Sequence, residues 1–142
     1  MKIVTWEMFI DYVDDIEYAI RHSGFKFDGI YGVPRGGMIP AVMLSHALSI
    51  PYLNQLDRVI SNSRILIVDE ICDTGKTLKK VNDYNKFYAN DNNVEYKYAV
   101  LLKREGASFK PDFYYDEVGK GILVKFPWES SSSCKEVPAS WK

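Results

Sequence analysis

The chain has 142 residues, 46% of them apolar and 26% charged, with a formal net charge of −1. That is ordinary for one globular domain with a core; the near-neutral charge argues against a nucleic-acid platform, and Cys72 and Cys134 are too few and too isolated for a disulfide framework or a zinc site. No apolar signal region opens the chain and no run approaches ~20 apolar residues, so a cytoplasmic protein with no membrane partner is expected. No internal repeat is visible.

Taken in order, Lys2-Ile3-Val4 reads as a short edge strand and Thr5 as the N-cap of a helix. Phe9, Val13, Ile16 and Ile20 recur at helical spacing from Trp6 until Ser23-Gly24 stops the helix. His22 near its end reads as a surface residue favoured by the helix dipole. Gly29–Val33 reads as a strand, Pro34-Arg35-Gly36-Gly37 as a glycine-rich loop, and Met38–Leu48 as a helix with Pro40 in its first turn. Glycines permit close backbone approach and Arg35 is a bidentate anion donor, so this loop is a candidate anion site. His46 reads as a packing or surface residue. Pro51-Tyr52-Leu53 is a brief strand, and Asn54–Ser63 is a connection of roughly ten residues.

The most informative stretch is Arg64–Leu78. Arg64–Val68 is a mostly apolar, β-branched run, expected of a strand buried on both faces of a parallel sheet. It ends at Asp69 and Glu70, and Asp73-Thr74-Gly75-Lys76-Thr77 then leads into a helix over about 76–89, with Leu78, Val81, Tyr84, Phe87 and Tyr88 on its buried side. Free N–H groups and the dipole at a helix start attract phosphate, and carboxylates at a strand's C-terminal edge suit ribose hydroxyls or a divalent metal. A ligand with both phosphate and sugar is implied. Gly75-Lys76-Thr77 also looks like the tail of a P-loop, but Glu70 stands where that motif needs its first glycine and would point charge at the phosphates. Cys72 has acidic neighbours and reads as packing.

The Asn90–Asn93 cluster is a turn, Tyr96–Leu102 a strand ending at Lys103-Arg104-Glu105-Gly106. Phe113–Tyr115 and Ile122–Phe126 are short strands around a Gly119-Lys120-Gly121 turn, expected as a small antiparallel segment covering the site. Pro127-Trp128-Glu129 closes a domain over 1–129, and 130–142 reads as a flexible tail in which Trp141 docks or is exposed. Alternating strands and helices give the fold class: α/β, a doubly wound parallel sheet.

Residues 65–77 resemble the phosphoribosyl-diphosphate (PRPP) signature of the type I phosphoribosyltransferases: four apolar residues, two acids, two variable residues, then Asp/Thr-Thr-Gly-x-Thr. Lys76 is often glycine in that family. Ile3–Met8, Val33–Pro40, Lys103 and Phe126–Glu129 also match in order and point to the bacterial purine branch, the xanthine–guanine enzymes in particular. The resemblance implies the type I phosphoribosyltransferase fold and transfer of 5-phosphoribose from PRPP to a 6-oxopurine (guanine, xanthine or hypoxanthine), with release of pyrophosphate. Asp69 and Glu70 would bind the ribose hydroxyls, directly and through Mg²⁺. Asp73, Thr74, Gly75, Lys76 and Thr77 would hold the 5′-phosphate, Arg35 and Gly36 the pyrophosphate, and Asp73 would also act as base. Lys103 would recognise the 6-oxo oxygen and the backbone near Val124 the 2-substituent. A homodimer or homotetramer is implied.

Three departures stand out. Asn54–Ser63 is too short for the family's pair of hood strands, so the site is less well covered. Leu123 occupies the position of the usual base-stacking aromatic, leaving Tyr114, Tyr115 or Phe126 to compensate. Lys76 adds a cation inside the phosphate loop. The alternatives are a non-catalytic PRPP- or nucleotide-sensing module and transfer to a non-purine acceptor.

Overall fold

In the computed structural model, residues 1–57, 59–89, 93–129 and 140 are described, with the backbone alone for 88 and 89. Residues 90–92, the whole 130–133 segment, Cys134 and Trp141 lie outside them, as does the side chain of Tyr88.

The elements run β1 (Lys2–Ile3), α1 (Trp6–Ser23), β2 (Gly29–Gly32), α2 (Met38–Leu48), β3 (Arg64–Cys72), α3 (Lys76–Ala89), β4 (Glu95–Arg104), β5 (Phe113–Val118) and β6 (Val124–Lys125). Thr5 caps α1 by accepting the Met8 N–H at 3.2 Å, and Gly24 closes it in the left-handed conformation. The main sheet has the order β2-β3-β4-β5 with every pairing parallel.

Alternation along the strands explains the double winding. Leu66, Val68, Ala99 and Leu101 face α1 and α2 through Phe9, Val13, Ala41 and Leu44. Ile65, Ile67, Tyr98 and Val100 face the other way, onto Leu78 and Val81 of α3. A fully buried Leu or Ile contributes about 1.5–3 kcal/mol, so the apolar run of β3 anchors the domain.

After α2 the chain returns to the outer edge of β2, where Tyr52 bridges Ile30 in parallel, and then crosses to β3 on the inner edge. Successive connections therefore diverge between β2 and β3. An open α/β sheet places its ligand crevice at the C-terminal ends of such a pair.

Three expectations need correction. β3 continues through Asp69 and Glu70 to Cys72, so the acids lie within the strand and not after it. The C-terminal strands are not an antiparallel segment: β5 pairs in parallel with β4, and β6 in parallel with β1. The 119–122 turn thus joins two different sheets. On α3, Tyr84 and Phe87 are exposed, Phe87 at 76%, and Asn85 is buried in their place. The sheet-facing line runs Leu78, Val81, Asn82, Asn85 because the Tyr98 hydroxyl donates to Asn82 Oδ1 at 2.9 Å. The described residues of 54–63 form bends and a turn, with no strand.

Candidate active site

A cavity of about 250 Å³ opens at the C-terminal ends of β2 and β3, lined by Val33, Pro34, Asp69–Gly75, Thr77 and Leu78. It brings together most of the sequence-predicted donor residues, and each is placed by a local physical cause.

Asp69 is only 9% exposed, and its Oδ1 accepts the Glu70 N–H at 2.8 Å. Burial pushes its pKa from 3.8 up to about 7; the Glu70 N–H pulls it back in part, and the Glu70 charge raises it again. Burial likewise raises the Glu70 pKa, opposed by a hydrogen bond from Trp128 Nε1 at 3.2 Å and by the Arg35 guanidinium, while Glu129 raises it further. Two adjacent acids held above their ordinary range at a strand end form a site for hydroxyl donors or positive charge.

The 33–37 loop packs directly against these acids, with a cis Pro34–Arg35 peptide. A Cβ on Gly36 would lie 1.7 Å from Glu70 Oε2, so a side chain there would displace that carboxylate from its place against the loop. Gly75 has φ of 93°, and a Cβ there would sit 2.6 Å from the Phe109 nitrogen. That close approach lets Ser108 donate twice to the Thr74 carbonyl, from its N–H at 2.9 Å and its Oγ at 2.8 Å. The Lys76 N–H donates to Thr74 Oγ1 at 3.2 Å; the Lys76 side chain is exposed and not part of the cavity lining. Cys72 is buried, its thiol pushed up by that burial, and its Sγ lies 3.5 Å from the Phe109 carbonyl, which fits packing.

The residues expected to meet the acceptor are held more loosely. Lys103 Nζ lies 3.8 Å from Glu117 Oε2, with the lysine largely shielded. Leu123 is 71% exposed and, like Val124, lies outside the cavity lining. The Leu123 and Lys125 carbonyls accept from the Lys2 and Val4 N–H groups, so the Val124 backbone groups face away from β1. Of the aromatics expected to compensate for Leu123, Tyr115 stacks on Tyr12 at 4.2 Å and Phe126 on Trp128 at 5.1 Å. Both rings are occupied within the fold.

Two residues escaped the sequence reading. Arg104 Nε donates to Asp73 Oδ1 at 3.0 Å, and Trp128 reaches Glu70 as described. The only signals were the adjacency of Arg104 to Lys103 and the place of Trp128 in the Pro-Trp-Glu block.

Among the described residues no group of three or more His, Cys, Asp and Glu gathers as a metal cage, and no helix is long and apolar enough to cross a membrane.

No protein-family model matches the chain. A purine phosphoribosyltransferase from Pyrococcus horikoshii superimposes with a TM-score of 0.79 at 31% identity, over 95% of this chain and 98% of that one. The xanthine-guanine-hypoxanthine phosphoribosyltransferase of Helicobacter pylori superimposes with a TM-score of 0.78 at 18% identity, covering 90% and 93% of the two chains. A xanthine-guanine phosphoribosyltransferase of Nitratidesulfovibrio vulgaris is 23% identical over 89% of this chain and 83% of its own length. With the acid pair, the phosphate-type loop and the strand order already in place, these likenesses show that the chain belongs to the type I phosphoribosyltransferases, on their purine branch.

Proposed function

We propose that the protein transfers 5-phosphoribose from PRPP to a 6-oxopurine, releasing pyrophosphate. The observation that carries this reading is the pair of buried Asp69 and half-buried Glu70 at the crevice where the strand order reverses, opening onto the 73–77 loop at the start of α3. The names of the relatives support the purine class.

In this reading Asp69 and Glu70 take the ribose hydroxyls, and 73–77 holds the 5′-phosphate at the helix N-terminus. Arg35 and Gly36 face the departing pyrophosphate. The donor set suits Mg²⁺, which commonly rests on one or two carboxylates and completes its shell with phosphate oxygens and water. Bound there, Mg²⁺ would offset charge on the leaving group. A cation beside Asp69 and Glu70 would also hold both ionised against their burial. Asp73 stands at the mouth, its side chain 60% exposed, with Oδ1 on Arg104. Its second oxygen is the acceptor for a proton from the purine, a step worth roughly 10²–10⁴-fold. Lys103 donates to the 6-oxo oxygen, and the Val124 backbone reads the 2-substituent beside Leu123.

Assembly as a homodimer or homotetramer is supported by α2, which is apolar on nearly every side and leaves Met38 and Val42 exposed. The exposed Leu123 and the short 54–63 connection favour a second reading, PRPP sensing without turnover, or a non-purine acceptor. Pyrophosphate release is measured with guanine, xanthine and hypoxanthine at saturating PRPP and Mg²⁺. At least one is expected to turn over; PRPP binding without turnover of any would overturn the purine reading in favour of sensing or a non-purine acceptor.

A further inference from the structure

We propose that Arg104 is a positioning residue that clasps the proposed base, Asp73, to the acceptor-side turn 119–122. This rests on the purine-transfer reading above and extends it to a residue that no signature marks.

The clasp is one side chain with two ends. Arg104 is the last residue of β4, opposite Val118 at the end of β5. Its Nε donates to Asp73 Oδ1 at 3.0 Å, across 31 positions of sequence. Its Nη1 donates to the Gly119 carbonyl at 2.9 Å and also to the Ile122 carbonyl. The Arg104 side chain is 15% exposed, so this ion pair is shielded on one side, unlike an ordinary surface pair.

Each end has a consequence. At Asp73 the single-point contact tethers one oxygen and leaves the other to meet an acceptor nitrogen. At the turn, two carbonyls that would otherwise be solvated are gathered onto one guanidinium immediately before Leu123 and Val124. A guanidinium does this because its fork of donors is rigid; a lysine can hold the carboxylate as a point charge but cannot also span both carbonyls. Arg104 therefore sets the distance between the proton acceptor and the segment beside the purine. A positioning error of this kind costs rate as well as affinity.

The test is a comparison of Arg104→Gln and Arg104→Lys with the wild type, measuring kcat, KM for the preferred purine and PRPP affinity by calorimetry. Arg104→Gln is expected to lower kcat by about tenfold and to raise the purine KM by about tenfold, with PRPP affinity changed by less than about threefold. Arg104→Lys is expected to recover most of kcat but not the purine KM. Wild-type constants in both variants, or equal losses of purine and PRPP binding as in simple unfolding, would overturn the clasp.

A second measurement separates failure of the clasp from failure of the purine reading. Backbone amide exchange over 119–124 is followed in the free protein. Faster exchange in Arg104→Gln than in the wild type supports the clasp even if no purine turns over, and unchanged exchange overturns it. A wild type inactive with every purine removes the acceptor reading alone.

Discussion

The residues proposed to hold the donor and those proposed to meet the acceptor are built into the fold by different means. On the donor side Asp69 and Glu70 sit in a strand whose preceding residues, Ile65–Val68, are almost wholly buried, and the 33–37 loop leaves no room for a Cβ at Gly37, which would meet the Val68 carbonyl oxygen at 2.5 Å. Its geometry is inherited from the sheet. The acceptor side hangs on side chains: a Lys103–Glu117 contact of 3.8 Å, the Arg104 clasp and a two-residue strand, β6. A sheet-built site is fixed by the core and resists change. A site hung on side chains can be retuned by single substitutions, which suits the base-recognition role proposed for that half.

The largest expected effect lies where the halves meet. Asp73→Asn should lower kcat by roughly 10²–10⁴-fold while PRPP affinity moves far less. Equal losses in both, seen by steady-state kinetics beside calorimetry, would make Asp73 a phosphate-loop residue only and erase the division at that point.

Next comes Asp69, whose carboxyl is buried in the rigid half. Its folded pKa, about 7, lies above its ordinary value of 3.8. The folded protein therefore holds a proton that the unfolded chain has lost between about pH 4 and 7, and stability contributed by this group falls as pH rises through that window. Asp69→Asn removes the penalty and should stabilise the ligand-free protein at pH 8 by on the order of 3 kcal/mol, with little gain at pH 4. Urea unfolding at both pH values checks the sign. An Asn variant no more stable than wild type at pH 8 would show that Asp69 is not desolvated.

On the acceptor side Lys103→Gln removes a charge-assisted donor of about 1.5–3 kcal/mol, so the purine KM should rise by roughly 10–100-fold with PRPP affinity unchanged. A rise in PRPP Kd instead would place Lys103 in the donor half.

The same division explains what the sequence disclosed. The donor half is written in contiguous residues: an apolar run, two acids and a small-residue loop before a helix are legible because each acts on its immediate neighbours. The contacts that tie the halves together depend on partners far apart in the chain. Arg104 meets Asp73 across 31 positions and Trp128 meets Glu70 across 58, and no periodicity encodes such pairs. Strand direction was lost for a related reason. A Gly-Lys-Gly turn between short apolar runs reads locally as a hairpin, whereas β5 and β6 join different sheets in parallel. Tyr84 and Phe87 were misplaced because helical spacing gives a stripe but not which stripe meets the sheet; the polar pair Asn82 and Asn85 lies beneath Tyr98 instead.

The smallest expected effect probes the hydrogen bond from the Pro-Trp-Glu block to the acid pair. Trp128 stacks on Phe126 with the rings 5° from parallel, and its Nε1–H donates to Glu70 Oε2. Trp128→Phe keeps a ring for the stack and deletes the donor, worth about 1 kcal/mol, together with part of the ring area that meets Trp6 and Phe9. That bond is the first influence opposing the burial that raises the Glu70 pKa. Without it Glu70 holds its proton to higher pH, and the pH at which PRPP affinity in Mg²⁺ reaches its plateau should move upward. The purine KM at saturating PRPP should stay near its wild-type value if Trp128 acts on the donor half through Glu70. Should the purine KM rise while the pH plateau stays in place, the ring itself would border the base, and the boundary between the two halves would have to be redrawn to put Trp128 on the acceptor side.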